Sequence, residues 1–562
     1  MSYPDLPNPD LLDRIPLDAG MVLDIGCATG ALGVEYKRRN PRARYIGVEY
    51  DAAAANVARG RLDEVFVADL DADPLPFADR IIPGHVDCLI YGDVLEHLRD
   101  PWGVLRAHAE LLSGNGTVLI CMPNQDHWSF AERLLRGTWD YEEMGLFDRT
   151  HIRWFSRAST ARLLRGAGLV PVDTTPRVFD KAESTAFVDA MEPGLRRLGI
   201  DVADYRERAA ALQFVWRARR HGTARLPVVS TMLSPVAGVS HVRVSEPMQA
   251  LAAEPTLAPR IVHGNEAEIR DDDPPGIFIF HRPVIAGEGG LARLRPLLAR
   301  GWVVVCEFDD HPAYIPVLQN VEVLNFRAVH AVQTSTEPLA EVLRRDNPEV
   351  RVFPNGVARL PDIANHRAPE RLTMLFAGLN REDEWPPYLD ALNGVMAKVG
   401  ERLHMVIVGD RGLFDRLATP HKSFVPICGY DTYQSLLAAS EISFMPLLDT
   451  PFNRCKSDLK FIEAAAHRVV ALATGATYES VIADGQTGVL FRSGEELEQR
   501  LLRLVANPDI TRRIGDAARA YVVRERMLAY QIAERTAWYH DLWARRAELH
   551  RALLDRVPAL AG

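Results

Sequence analysis

The chain has 562 residues, of which 47% are hydrophobic and 25% charged, and its formal net charge is −10. This is the composition of an ordinary globular protein with room for two or three domains. The negative balance argues against a dominant nucleic-acid surface. The six cysteines show no C-x-x-C spacing, which indicates a reducing compartment and suggests neither a disulfide scaffold nor a zinc site.

The N-terminal stretch MSYPDLPNPDLLDRIP lacks a basic region followed by an apolar one, so no signal peptide is predicted. No apolar run reaches the ~18 residues that a membrane-spanning helix needs. We therefore expect a cytoplasmic protein without a transmembrane segment, which leaves peripheral membrane association open.

Apolar runs alternate with helix-like stretches over the first part of the chain. Continuous apolar runs that end in Asp, Glu or Gly are typical of strands buried on both faces of a parallel sheet. Their alternation with helices predicts a doubly wound α/β fold. The runs are GMVLDIG, RYIGVEY, DEVFVAD, VDCLIYGD, GTVLICMPN, GLVPVDTT and LQFVWRARR.

Acidic and small residues follow the early strands, at the edge of the sheet where ligands of such folds bind. A turn with almost no side chains lets the backbone approach a ligand closely. An acid after the second strand can accept hydrogen bonds from both hydroxyls of a ribose. The residues concerned are Asp24, Gly26, Ala28, Gly30, Glu49 and Asp69.

Two ligands fit this edge, a dinucleotide and S-adenosylmethionine (SAM). The turn DIGCATG does not match the dinucleotide fingerprint G-x-G-x-x-G. Its acid, Asp24, repels a phosphate but suits the cationic amino-acid moiety of SAM. The turn resembles motif I of class I SAM-dependent methyltransferases, D-x-G-x-G-x-G, and departs from it at Ala28, where glycine is usual.

Further stretches carry the same resemblance, which covers about the first 220 residues. In VEYD, Glu49 stands where the family has its ribose-binding acid. In ADLDA, Asp69 and Leu70 stand at the adenine edge, and Asp93 follows the fourth strand in YGDVLEHLRDPWGVL. The resemblance implies a Rossmann-like methyltransferase domain that binds SAM through these positions.

Two histidines are candidates for the base that takes the proton of an acceptor hydroxyl as the methyl group arrives. His97 follows strand four, beside Glu96. His151 lies in GLFDRTHIRWFSRASTARLLRGAGL, which resembles the substrate-side segment of methyltransferases from surface-polysaccharide gene sets. We predict His151 as the base, oriented by Asp148, with His97 shaping the pocket. Swapped roles and a purely structural role for either histidine stay open.

A basic stretch with Gly and Pro, RARRHGTARLP, ends the first domain near Gly222. The later apolar runs predict two consecutive Rossmann-like units, and the cleft between such units is a favoured ligand site. We expect a methyltransferase domain at 1–222 and two lobes at 223–365 and 366–562. The runs are LPVVSTML, IFIFHRP, GWVVVCEFDDHP, HAVQTST and VRVFPNGV, then LTMLFAG, LHMVIVGD, KSFVPICG, ISFMPL, RVVALAT and TGVLF. Two long helices are predicted at the end, EELEQRLLRLVANP and AYQIAERTAWYHDLWARRAELHRALL.

The second half resembles the GT-B glycosyltransferases, and within them the family 4 type. FPNGV matches the connection between the lobes, and GVSHVRVSEPMQAL resembles the glycine-rich turn of the acceptor lobe. FAGLNRE places Arg381 near a phosphate-binding arginine. CKSDLKFIEAAAHRVVALATG matches the nucleotide-sugar signature, with Glu463 in the place of the glutamate that binds the donor ribose. The resemblance implies an acceptor lobe, a donor lobe and retention of anomeric configuration.

The signature departs from the family pattern in two ways. The first glutamate of Glu-x7-Glu is replaced by Cys455, and the usual lysine shortly after Arg381 is missing. We expect Lys456 and Lys460 to supply the positive charge that a diphosphate leaving group needs; solvated surface lysines are the alternative. Lys460 and Glu463 are three residues apart, so on a helix they share one face.

The acidic pair Asp309–Asp310 in EFDDHP suggests a metal site, but GT-B enzymes generally bind the donor without a metal. Acceptor contact or helix capping before HPAYIP is the favoured interpretation, and no metal is predicted anywhere in the chain.

The chain is therefore interpreted as a fused enzyme that methylates a sugar hydroxyl from SAM and transfers a sugar from a nucleotide-sugar donor to a glycan or glycolipid acceptor. Three alternatives stay open. The GT-B half is a degenerate module that binds a glycan, or the methyltransferase acts on a small metabolite, or the first domain uses a nicotinamide cofactor.

Overall fold

The computed structural model describes residues 5–222, 224–233, 238–264, 269–270, 272–319, 322–363, 371–378 and 381–561. The chain divides into two compact units, Met1–Arg225 with Ala252–Thr256, and Leu226–Leu251 with Leu257–Gly562. The first unit thus includes a short segment from beyond the expected domain end at Gly222. The expected lobe boundary at 365/366, and Leu379 and Asn380 of the FAGLNRE stretch, lie outside the described residues.

All seven expected strands of the first unit are present in its sheet. They lie in the order β3-β2-β1-β4-β5-β7-β6 when numbered along the chain. The first five pair in parallel, whereas the seventh runs antiparallel to both of its neighbours. Their bounds are β1 (Met21–Ile25), β2 (Arg44–Glu49), β3 (Glu64–Val67), β4 (Val86–Gly92), β5 (Leu112–Pro123), β6 (Val170–Arg177) and β7 (Gln213–Arg219).

The central strands of this unit are buried on both faces. Val22, Leu23 and Ile25 of β1 expose none of their surface, as the continuous apolar run predicted. The helices between the strands are α1 (Pro9–Leu12), α2 (Ala31–Arg39), α3 (Ala52–Ala58), α4 (Pro101–Ala109), α5 (Trp128–Arg136), α6 (Arg157–Gly166), α7 (Lys181–Arg197) and α8 (Val202–Ala210).

The second unit begins with a parallel sheet in which one strand was not expected. Its strands are β8 (Leu226–Met232), β9 (Leu257–His263), β10 (Ile277–His281), β11 (Val303–Glu307), β12 (Ala331–Thr334) and β13 (Val350–Val352). They lie in the order β13-β12-β11-β10-β8-β9. The unexpected strand, β9, is at the edge, where Pro259 costs no ladder hydrogen bond. Its helices are α9 (Glu246–Ala252), which a π-helical turn precedes, α10 (Gly287–Ala299) and α11 (Glu337–Leu343).

A further parallel sheet follows in the order β16-β15-β14-β17-β18-β19, which is the doubly wound order 3-2-1-4-5-6. Its strands are β14 (Leu372–Ala377), β15 (Leu403–Val408), β16 (Lys422–Val425), β17 (Ile442–Met445), β18 (Val470–Thr474) and β19 (Val489–Phe491). Its helices are α12 (Leu389–Val399), α13 (Arg411–Arg416), α14 (Tyr430–Ala438), α15 (Pro451–Arg454), α16 (Leu459–Ala466) and α17 (Gly475–Tyr478).

The chain ends in four helices, α18 (Gly494–Ala506), α19 (Pro508–Glu525), α20 (Ala529–Ala544) and α21 (Arg546–Arg556). The sequence predicted one helix from Ala529 to Leu554, but the structure divides it at Arg545, whose side chain pairs with Glu349 at 3.0 Å. Leu553 of α21 is fully buried in the hydrophobic core of the first sheet of this unit. Among the described residues, no helix is both long enough and apolar enough to cross a membrane.

Candidate active sites

The turn after β1 has a left-handed backbone at three alternate positions. Gly26, Ala28 and Gly30 have φ values of 75°, 47° and 80°. A Cβ atom on Gly26 would lie 2.3 Å from Cγ2 of Val94, so only glycine fits there. Ala28, the departure from the family motif, keeps the conformation of the usual glycine at the steric cost of a side chain.

Two acids stand at the ends of β1 and β2, and the one on β2 holds this turn. The Tyr45 hydroxyl donates to Oδ2 of Asp24 at 2.8 Å, and the amide of Ala28 donates to Oε2 of Glu49 at 2.8 Å. Asp24 and Glu49 are both buried. Burial raises the pKa of Asp24 to about 7, against the effect of the Tyr45 hydrogen bond. The turn and the expected ribose-binding acid are therefore in direct contact.

The other expected cofactor positions follow the neighbouring parallel strands. Asp69 is exposed after β3, and Leu70 beside it is buried. Asp93, directly after β4, also has a left-handed backbone, with φ 58°, and accepts a hydrogen bond from Nε2 of Gln213 at 2.5 Å. Because β1 to β4 are parallel neighbours, all these positions share one edge of the sheet.

The two candidate bases are in contact. The His97 and His151 rings have centroids 4.8 Å apart in an edge-on arrangement. Their segments are joined by the amides of Ile152 and Arg153, which both donate to the Glu96 carbonyl at 3.0 Å. The Glu96 side chain is only 1% exposed. His97 and His151, the two candidates for the base, are 54 positions apart in the chain and are in contact in the structure.

Asp148 contacts Thr150 and not the ring of His151. Its Oδ1 accepts hydrogen bonds from the Thr150 amide at 2.8 Å and hydroxyl at 2.6 Å, and the Thr150 hydroxyl is 3.1 Å from Nδ1 of His97. Nδ1 of His151 instead lies 3.2 Å from the Leu146 carbonyl. Through Thr150, the orienting acid therefore acts on His97.

Burial dominates the electrostatics of this group. It lowers the pKa of His97 and that of His151, which repulsion from His97 lowers further. Burial and the charge of Asp93 raise the pKa of Glu96 well above its ordinary value. Both imidazoles are thereby favoured in their neutral form at neutral pH, the form that can accept a proton or bind a cation.

In the second unit, Glu463 of α16 is buried against α14. Its carboxylate accepts hydrogen bonds from the hydroxyls of Tyr430 at 2.7 Å and Tyr433 at 3.1 Å. The Tyr430 ring stacks on His241, with centroids 5.0 Å apart. His241 and nearby Glu246 belong to the stretch that resembles the acceptor-side turn, and the charge of Glu463 adds to burial in raising the pKa of Glu246 to about 7. The signature glutamate thus faces the predicted acceptor lobe.

The three expected cationic residues lie close to one another. Burial and, to a smaller extent, the charge of Arg381 together lower the pKa of Lys460 to about 8. Burial and Arg381 also lower the pKa of Lys456. Lys460 donates to the Ala377 carbonyl, and Nζ of Lys456 is 3.3 Å from Oδ1 of Asp310. An anionic ligand bound here would relieve the repulsion among Arg381, Lys456 and Lys460.

Two other expectations concern Cys455 and the Asp309–Asp310 pair. Cys455 is buried in the hydrophobic core of the acceptor-side sheet, and its carbonyl accepts a hydrogen bond from the Thr336 hydroxyl at 2.9 Å. Both aspartates form ion pairs with Arg282. The acidic pair is therefore neutralised by Arg282. The short helix Pro312–Tyr314 is capped by His311, whose Nδ1 accepts a hydrogen bond from the Ala313 amide at 3.3 Å, so the expected capping by the aspartates is wrong.

Several site residues were missed by the sequence interpretation. No sequence pattern indicated that Tyr430, Tyr433 or His241 belongs to the site. The sequence alone does not predict that α14 packs on Glu463. Gln213 was assigned only to a strand. Glu96 was noticed within a motif but given no role, although its neighbour His97 marked the place.

Comparison with known proteins supports this division of the chain. Residues 6–174 match a family model described as a methyltransferase domain, and residues 391–537 match one described as glycosyl transferase-like. The ubiquinone biosynthesis O-methyltransferase of Dinoroseobacter shibae is 30% identical over 179 residues, which cover 30% of this chain and 68% of that protein.

Two solved structures are similar to separate parts of the chain. Sucrose-phosphate synthase from Thermosynechococcus elongatus is 15% identical, with a TM-score of 0.41, over 57% of this chain and 100% of that one. A SAM-dependent methyltransferase from Archaeoglobus fulgidus is 14% identical, with a TM-score of 0.27, over 37% of this chain and 90% of that one.

The molecule combines a Rossmann-like methyltransferase domain with a two-sheet, GT-B glycosyltransferase-like unit. Through its N-terminal domain the chain belongs to the SAM-dependent methyltransferases, and a glycosyltransferase-like domain follows in the same chain.

Proposed function

We propose that the first unit transfers a methyl group from SAM to a sugar hydroxyl. The observation that supports this proposal is the carboxyl edge of the sheet, where Glu49 at the end of β2 holds the left-handed turn and β4 runs parallel beside β1. Asp24, Gly26, Ala28 and Gly30 would receive the amino-acid moiety, Glu49 the ribose, and Asp69, Leu70 and Asp93 the adenine side. The relative from Dinoroseobacter shibae is an O-methyltransferase by name, which supports oxygen as the acceptor atom.

The acceptor hydroxyl is proposed to approach the His97–His151 pair, which follows the same edge. A hydroxyl is a weak nucleophile, so removing its proton as the methyl arrives lowers the barrier. The neutral state of both rings supports this role. The contact of Asp148 through Thr150 favours His97 as the oriented ring and His151 as its partner.

The second unit is proposed to transfer a sugar from a nucleotide-sugar donor. Glu463 would bind the donor ribose, and Arg381, Lys456 and Lys460 would stabilise the diphosphate as its bond to the sugar breaks. The mutual repulsion of these cations supports an anionic ligand. Retention of anomeric configuration is carried over from the family 4 resemblance.

Two transferases in one chain favour a shared acceptor, a growing glycan or glycolipid such as bacterial surface polysaccharide. Its synthesis in the cytoplasm, with peripheral attachment to the membrane where the acceptor is a lipid, is part of this proposal.

The test is a mass-spectrometric screen of the purified full chain with SAM, a panel of nucleotide sugars and glycan acceptors. We expect mass increases of one methyl group and of one sugar on the same acceptor. Methylation of a small metabolite, with no glycan modified, would contradict the proposal. A binding assay with SAM and NAD separates the nicotinamide alternative.

A second function for the GT-B half is favoured by one observation. Glu463 already has two tyrosine hydroxyls as partners, and Cys455 replaces the other signature acid. This arrangement suits a module that binds a glycan and presents it for methylation. Glycan binding without turnover of any nucleotide sugar in the same screen would identify it.

A further inference from the structure

Glu96 carries two buried oxygen atoms that lack partners. Among the residues that the structure describes, neither Oε1 nor Oε2 accepts a hydrogen bond, although the side chain is 1% exposed. An unpartnered buried carboxylate is costly, and protonation removes its charge but still leaves its oxygens without donors. The position calls for a ligand that binds carboxylate oxygen.

The two histidines beside Glu96 are oriented to bind the same ligand. Nδ1 of His97 lies 3.2 Å from the Thr150 carbonyl, and Nδ1 of His151 lies 3.2 Å from the Leu146 carbonyl. Because a carbonyl only accepts, each Nδ1 must carry the proton, which leaves the lone pair on Nε2. Within the described part of the chain, neither Nε2 has a hydrogen-bond partner. Backbone carbonyls commonly fix metal-binding histidines in this way.

The three side chains are also close enough to share one ion. One potential ligand atom from each of Glu96, His97 and His151 lies within 4.8 Å of the other two. Ligands about 2.0–2.2 Å from one ion are roughly 3–3.6 Å apart. Small side-chain rotations therefore close the set, and the amides of Ile152 and Arg153 on the Glu96 carbonyl hold the two segments in register.

We propose that Glu96, His97 and His151 bind one divalent cation. Two imidazoles and one carboxylate suit a transition metal such as Zn²⁺, or the harder and more weakly bound Mn²⁺, better than Ca²⁺ or Mg²⁺, which prefer all-oxygen ligands. Three protein ligands leave coordination positions open for a substrate oxygen, as in catalytic sites and unlike closed structural ones. This assignment replaces the free imidazole base proposed above with two metal-bound imidazoles, and it departs from the sequence-based expectation of no metal.

The role of the ion rests on the proposed methyl transfer. The acceptor hydroxyl would bind at an open position, where the cation favours its alkoxide form and the proton passes to solvent water. The oxygen then attacks the methyl carbon of SAM. The C–O bond forms, the C–S bond breaks, and its electron pair stays on sulfur as the neutral thioether. The ion also fixes the direction from which the hydroxyl approaches.

The test uses Mn²⁺ as the probe, since free aqueous Mn²⁺ is measured directly by electron paramagnetic resonance. Full-length protein is stripped with a chelator, desalted and titrated with MnCl₂. We expect one Mn²⁺ per chain, displaced by Zn²⁺, with affinity at least tenfold lower in Glu96→Gln and in His151→Gln. His85→Gln is the matched control, because His85 is an exposed histidine of the same domain, and should bind as wild type does.

Circular dichroism and SAM affinity show which variants are folded. Glu96→Gln and His151→Gln remove different proposed metal ligands, so each variant tests the site independently. Absence of a stoichiometric Mn²⁺ site in wild type, or an Mn²⁺ affinity equal to that of wild type in both folded variants, would overturn the proposal. The readout does not depend on a methyl acceptor. A chain that binds Mn²⁺ at these residues but methylates no sugar would therefore leave the metal site standing and refute the proposed function.

Discussion

Glu49 is the residue whose contacts tie the cofactor turn to the second strand. Its carboxylate accepts the amides of Ala28 and Asp51 at 2.8 and 2.9 Å, which leaves lone pairs for a ribose. Charge-assisted hydrogen bonds are worth ~1.5–3 kcal/mol each. We expect Glu49→Ala to weaken SAM binding at least tenfold in isothermal titration calorimetry.

The matched control for this variant is Glu183→Ala, an exposed glutamate on α7, which should leave SAM affinity unchanged. A folded Glu49→Ala protein with wild-type SAM affinity would remove Glu49 from the cofactor site.

The left-handed backbone of Ala28 has a direct consequence for the stability of the first unit. Its φ of 47° places a side chain in the left-handed region, at a cost of ~1–2 kcal/mol. Glycine relieves that strain but gains freedom in the unfolded chain worth ~0.4–1 kcal/mol. We expect Ala28→Gly to raise the free energy of unfolding by up to ~1 kcal/mol and to keep SAM affinity, as measured by urea unfolding and calorimetry. A destabilised variant would show that the Ala28 methyl group packs usefully.

At the scale of single residues, the sequence predicted the site residues that stand at strand ends. It did not predict which side chains contact one another elsewhere in the sites. Asp24 and Glu49 were predictable because strand ends at one sheet edge must be neighbours. The contact of Asp148 with Thr150 was not, since a spacing of three residues in a loop does not determine which way a side chain turns. The tyrosines on Glu463 depend on helix packing, which no local pattern encodes.

Among the elements, the segment Ala252–Thr256 was expected in the second half of the chain, but it belongs to the first unit. Arg217, 1% exposed, donates to the carbonyls of Ala252 and Ala253 at 3.1 and 2.7 Å. Burial and, to a smaller extent, the charge of Asp18 together raise the pKa of Glu254 from 4.5 to about 8. The segment thus brings a carboxyl group that folding keeps protonated.

This carboxyl group makes stability depend on pH. Because the folded pKa is raised, its contribution is fully present below pH 4.5 and is lost as pH rises through about 8. We expect Glu254→Gln to melt increasingly above wild type as pH rises from about 5 to about 8.5. Differential scanning calorimetry measures this in the transition that SAM shifts upward. Glu183→Gln is the control, and a pH-independent difference between Glu254→Gln and wild type would contradict the pKa.

Strands with continuous apolar runs were predicted, whereas the edge strand β9, whose apolar pattern is interrupted, was not. The central strands of all three sheets follow from their apolar runs, whereas β9 has Pro259 and Arg260 in its middle and forms only because an edge tolerates them. The antiparallel course of β7 was likewise not predicted, because the apolar run of a strand does not show in which direction the strand runs. The break at Arg545 interrupts an apolar pattern that continues unchanged, so only packing locates it.

At the scale of the whole molecule, the two proposed activities rest on residues of different units, which makes their independence testable. Glu463 lies on α16 of the second unit and Glu49 on β2 of the first. Removing the Glu463 carboxylate would delete the proposed ribose contact and leave the hydroxyls of Tyr430 and Tyr433 without their buried acceptor. Loss of such charge-assisted bonds costs ~1.5–3 kcal/mol each.

We therefore expect Glu463→Ala to lower sugar transfer at least a hundredfold while methyl transfer stays at the wild-type rate, and Glu49→Ala to give the opposite pattern. Tyr430→Phe is the matched variant, since it removes one hydroxyl from Glu463 and keeps the ring stacked on His241. Both rates are measured by mass spectrometry on one acceptor. Wild-type sugar transfer in folded Glu463→Ala would mean that the signature has been misassigned. Loss of both activities in either glutamate variant, with the fold intact, would mean that the two sites are not independent.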